Sequence, residues 1–224
     1  MNPQEIERYS MRDLWDKPWF SVLTKLTYSA YLNILWFICS LPIFTIGAST
    51  TALYYVSLKM VKNEEGNITK AFFHSFRENF KQGTVIWLIL LGFGILFGID
   101  GYVLYHIRFE NAFWTICTAV LIVAAVAYAI ILMYIFPLLA RFNNTTLAMF
   151  KNSIMIGMRF LLCTVLMAVI YFIMIFVIIN IFTPAIIFGE GLCAFLCSYL
   201  LSNILLMCEE KSESVENSSP DDSQ

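Results

Sequence analysis

Leu41-Pro-Ile-Phe-Thr-Ile-Gly47 interrupts an apolar stretch that otherwise runs from residue 20 to residue 60. Pro42 has no N–H and disfavours helix at the residue before it, so the first helix is expected to end at Leu41. Gly47 tolerates backbone angles that other residues resist. A break of this kind after a long apolar run reads as a turn at a membrane face.

The rest of the chain follows the same logic. It has 224 residues, 59% hydrophobic and only 13% charged, against about 25% charged in soluble domains. The apolar residues lie in blocks, and about 20 of them cross roughly 30 Å of hydrocarbon. The reading is an all-α, polytopic transmembrane helical bundle with spans at 20–41, 45–60, 84–105, 113–139, 160–182 and 185–207. Residues 1–19 form a cytoplasmic N-terminal segment and no cleavable signal peptide. Residues 208–224 form an acidic tail expected to be disordered.

Charge sets the topology. Lys59, Lys62, Lys70, Arg77 and Lys81 follow the second apolar run. Excess Lys and Arg belongs on the cytoplasmic side, so the 20–60 hairpin returns to the face of the basic N-terminus and turns outward at 41–47. Of 14 Lys and Arg, Arg108 alone then falls outside, and both termini are cytoplasmic. Span 45–60 is short, rich in Ser, Thr and Ala, and suited to burial among other helices. Whether it crosses fully or re-enters stays open.

Polar residues inside the spans are few. Asn33 reads as an interhelical hydrogen bond or as a solute contact. Asp100, about 24 Å along its helix from residue 84, is an interfacial acid or a transport residue. Glu190 lies near the outer end of the last span. Gly94, Gly98 and Gly101 predict close helix packing. Pro137 is expected to mark the inner end of the fourth span. Asn63-Glu-Glu-Gly66 reads as a turn, after which Phe72, Phe73, Phe76 and Phe80 recur at helical spacing among Lys70, Arg77 and Lys81. That predicts a basic amphipathic helix on the inner leaflet, with a second short surface helix at 145–152. The six cysteines sit in apolar runs as packing residues, and no cofactor or metal ligand set is expected. No phosphate loop, serine elbow or nucleophile–base pair is present in the sequence, so an enzyme is not expected, nor is a nucleic-acid partner.

The stretch Tyr31-Leu-Asn-Ile-Leu-Trp36, the 41–47 element, Thr51-Ala-Leu-Tyr-Tyr55 and Phe72-Phe-His-Ser-Phe-Arg-Glu-Asn-Phe-Lys-Gln82 together resemble the YesL-like integral membrane family, whose function is unknown. Phe136-Pro-Leu-Leu-Ala-Arg-Phe142 followed by Lys151-Asn152 fits as well. The likeness covers residues 12–207. It implies a bacterial cytoplasmic-membrane protein, often encoded near carbohydrate ABC transporters, glycoside hydrolases and sensor kinases. The expected role is an accessory or regulatory subunit linked to carbohydrate uptake, with a carbohydrate ABC transporter or a sensor kinase as partner beside the bilayer. The alternative is a stand-alone transporter or channel for a small uncharged solute. The candidate solute or packing site is Asn33, Pro42, Thr45, Gly47 and Asp100. The candidate cytoplasmic docking face is Arg77, Lys81, Arg141 and Lys151.

Overall fold

The computed structural model describes residues 18–64, 66–106, 112–180 and 186–218. The N-terminal segment with Arg8, Arg12 and Lys17, the loop with Arg108, the Thr183-Pro184 turn and the last six residues lie outside the described residues. Those described form eight α-helices and no strand. They are α1 (Pro18–Ser40), α2 (Ile46–Val61), α3 (Ile68–Glu78), α4 (Phe80–His106), α5 (Ala112–Arg141), α6 (Thr146–Arg159), α7 (Leu161–Asn180) and α8 (Ile186–Ser218). Five of them, α1, α4, α5, α7 and α8, are long and apolar enough to cross a membrane.

The bundle is built around α2. It packs against α1, α3, α4, α5 and α8, and twelve of its 16 residues are buried. At 16 residues it is about 24 Å long, shorter than the five long helices. Small residues permit its close neighbours. Gly47 backs onto Gly83 of α4, where a Cβ would collide with the Gly83 carbonyl and lie 2.7 Å from Trp87 Cβ. Two of the hydroxyls buried on α2 are returned to the preceding turn of backbone: Ser49 Oγ donates to Thr45 O and Thr51 Oγ1 to Gly47 O. Each is a four-residue back-bond within the helix.

The 41–47 turn takes the predicted shape. Pro42 is extended (φ −74, ψ 107) and a short 3-10 turn covers Ile43–Thr45. Thr45 Oγ1 donates to the carbonyls of both Cys39 and Pro42 at 2.6 Å, holding the end of α1 against the start of α2.

Its position differs from the expectation. Trp87 Nε1 donates to Ile43 O at 2.8 Å, so the turn rests on the first turns of α4, the end that charge counting places inside. Leu41, Ile43 and Phe44 around it are exposed and apolar.

The two short helices also differ. α3 is amphipathic and begins where expected, after a turn in which Asn63 and Gly66 adopt φ of 57 and 44, with Asn67 capping Lys70 N. Its apolar residues are divided between the packing on α2 and the surface: Phe72 is fully buried while Phe73 is 37% exposed. A short α2 leaves a flank that α3 fills. α6 extends to Arg159 and lies against α5, with Gly157 on Ile130 and Tyr134.

Three further expectations are corrected. α5 runs through Pro137 to Arg141, because packed neighbours in a membrane bundle compensate a missing N–H. Gly94 meets Tyr128, but nothing lies near Gly98 or Gly101, so helix packing uses one glycine of that face. The tail expected to be disordered from 208 continues α8 as helix to Ser218, since extending an existing helix avoids the cost of a new nucleus.

Candidate functional site

The expected solute residues do not form one site. Asn33 is fully buried and its Oδ1 accepts from Gly191 N at 2.7 Å, so it ties α1 to α8. A Cβ on Gly191 would lie 2.5 Å from Ser29 O and 2.8 Å from Asn33 Cβ, which fixes glycine there. The Asn33 amide nitrogen and Ser29 Oγ have no hydrogen-bond partner among the described residues. Pro42, Thr45 and Gly47 shape the turn and its seat on α4. Asp100 is exposed and lies apart, beside Trp114 and Cys117 on a separate cavity of about 430 Å³.

A second cavity, of about 500 Å³, lies between α1, α2, α4, α5, α7 and α8. The turn organises it: once the chain has turned at Thr45, successive turns of α2 aim Ile46, Thr50 and Tyr54 into it. Trp36, Trp87, Phe136 and Tyr171 complete an aromatic wall. Glu190 at the start of α8 lines it too.

The wall's polar atoms are paired among themselves. Trp36 Nε1 donates to Thr50 Oγ1 at 3.0 Å, and the Tyr54 and Tyr171 hydroxyls bond at 2.7 Å. The Trp87 indole is held by Ile43 O at 2.8 Å, and its ring centroid lies 6.4 Å from that of Phe136. Glu190 is part-buried, and no salt bridge reaches it among the described residues.

Sequence reasoning noted Glu190 but did not join it to Tyr54 and Tyr171. Its signal was an acid inside an apolar run. What was missing was the pairing of helices far apart in the chain, as between residues 54 and 171.

The proposed docking residues sit differently. Arg77, Lys81, Arg141 and Lys151 are all exposed. Gln82 Nε2 donates to Asn144 O at 2.7 Å, which fastens the start of α4 to the α5–α6 connection and so brings the neighbourhoods of Lys81 and Arg141 together. On α3, Lys70, Phe73, His74, Arg77 and Glu78 line one shallow surface, with His74 and Glu78 3.6 Å apart.

Residues 29–101 match the sequence profile of "Protein of unknown function, DUF624". The matched segment covers 73 of the chain's 224 residues. It carries the turn, α2, α3 and most of α4, and the resemblance to the YesL-like family read from the sequence is thereby supported. The matched segment holds Trp36, Thr50, Tyr54 and Trp87 of the cavity, and excludes Tyr171 and Glu190. The chain is also similar to "Uncharacterized protein YteU" of Bacillus subtilis (strain 168), at 25% identity over 142 residues, 62% of this chain. The match spans 63% of that relative's length. No solved structure matches the chain.

Proposed function

We propose that this protein is an accessory or regulatory subunit of a solute-uptake system in the bacterial cytoplasmic membrane, without catalytic activity of its own. The observation that carries the reading is α3. One side of it, with Phe72 and Ser75, is buried as the helix packs on α2, while the other presents Lys70, Phe73, His74, Arg77 and Glu78 on one surface. A rigid helix with a basic and aromatic free face is suited to an acidic segment of a partner protein. Arg77, Lys81, Arg141 and Lys151 form the docking rim. The family resemblance points to carbohydrate uptake, with a carbohydrate ABC transporter or a sensor kinase as partner. Mild-detergent purification from native membranes, followed by mass spectrometry, tests this. A partner recovered in constant ratio supports it, and unaided solute movement by the purified protein in liposomes refutes it.

The membrane arrangement belongs to the same proposal: six membrane-embedded helices, the five long ones and α2, with both termini cytoplasmic. α1 and α2 return the chain to its starting face whether or not α2 reaches the far side, so the charge asymmetry holds either way. The Trp87–Ile43 bond and the exposed apolar residues at the turn support a turn lying within the hydrocarbon.

A second reading has its own observation. The cavity between six helices is of the size that small molecules occupy, which favours a stand-alone transporter or channel for a small solute. Uptake into liposomes by the protein alone distinguishes it.

A further inference from the structure

We infer that the cavity between α1, α2, α4, α5, α7 and α8 is a binding site for an organic monocation of the alkyl- or arylammonium type, with Glu190 as its counter-charge. The inference is independent of the docking role proposed for α3.

The cavity's chemistry is one-sided. Five aromatic residues from five helices, Trp36, Tyr54, Trp87, Phe136 and Tyr171, contribute to its wall. Ring faces attract cations through their quadrupole, and desolvated sites strengthen the effect. Among the described residues, Lys and Arg are absent from the lining. Both indole N–H groups are engaged, Trp36 with Thr50 and Trp87 with Ile43, and the Tyr54–Tyr171 bond uses one of the two tyrosine hydroxyl protons. An anion therefore meets no free indole N–H and no cationic side chain among the described residues, only hydroxyl protons, and a sugar meets few donors.

Glu190 is the exception. It lines the cavity without an ion pair among the described residues. A carboxylate in an apolar enclosure is costly unless a counter-ion accompanies it, and a bound cation supplies one. A divalent metal ion is a poorer fit, because hard cations gather six or more oxygens at short distance and this wall is mostly carbon. A quaternary or tertiary ammonium has the shape and the diffuse charge that aromatic walls accept.

Trp36 and Trp87 line the cavity, so their fluorescence reports occupancy. The purified full-length protein, in detergent micelles, is titrated with phenyltrimethylammonium and, separately, with its uncharged isostere tert-butylbenzene. A saturable emission change with the cation, and a much weaker one with the isostere, supports the inference. Equal responses to the two ligands, or none to the cation, overturn it, and this comparison needs no variant. Glu190→Gln, checked for intact helix content, is expected to weaken the cation by about tenfold or more and leave the isostere unchanged. Asp100→Asn, on the separate cavity, is expected to leave both unchanged. An unchanged cation affinity in folded Glu190→Gln also overturns the assignment.

Discussion

Trp87 Nε1 donates to the main-chain oxygen of Ile43 at 2.8 Å. The bond joins the turn after α1 to the beginning of α4, and it helps hold the Trp87 ring against Phe136 at the cavity wall. Turn geometry and cavity shape are therefore coupled through one side chain. Trp87→Phe keeps a ring in place and removes the donor, leaving a carbonyl at an apolar turn. The expected loss is about 1 kcal/mol, read as a lower midpoint of thermal unfolding in detergent.

Gly47 and Gly83 set the spacing of α2 and α4. Each would place a Cβ against the other helix's backbone, which cannot yield as a flexible side chain can. Gly47→Ala is expected to cost about 1–3 kcal/mol, the usual penalty of overpacking. Gly98→Ala, where nothing lies near a Cβ, is expected to leave stability unchanged. Thermal unfolding of the pair checks this contrast, and equal losses would contradict the seat described for Gly47.

The Tyr54–Tyr171 bond at 2.7 Å links α2 to α7 across the cavity. Tyr54→Phe and Tyr171→Phe each leave one hydroxyl without its partner. The double variant is expected to lose less than the sum of the singles, with a coupling of about 0.5–1.5 kcal/mol. Additive losses in unfolding measurements would show that the two hydroxyls do not act as a pair.

Much of this fold is written in apolar runs. The ends of α1, α7 and the apolar part of α8 follow from Pro42, from the boundary at Arg159 and Phe160, and from the loss of apolar residues after Met207. The turn is legible because Pro42 and Gly47 each impose a local constraint. Asn33 is legible as an interhelical bond because a polar side chain in lipid needs a partner. Its partner, Gly191 N, is not, since a backbone donor carries no sequence signal. The same limit hides the cavity. Trp36, Tyr54, Trp87, Phe136, Tyr171 and Glu190 are spread over the chain, and no spacing rule connects them. The packing of α3 on α2 is also hidden, because an amphipathic helix has the same pattern whether its apolar side meets lipid or protein.

Position of the turn within the membrane is measurable. In a background with the native cysteines replaced, Ile43→Cys is treated with a membrane-impermeant maleimide from outside intact cells. A turn held inside the hydrocarbon beside Trp87 predicts no labelling. Strong labelling would place 41–47 at the outer surface, as charge counting alone suggests.

The most direct test of the accessory role is purification from native membranes in parallel for the wild type and for Arg77→Glu/Lys81→Glu. Both substitutions are at exposed positions, where charge changes have little effect on folding. The account predicts a partner in constant ratio with the wild type and its loss with the double variant. Recovery of the wild type alone, or equal partner recovery with both proteins, would contradict it.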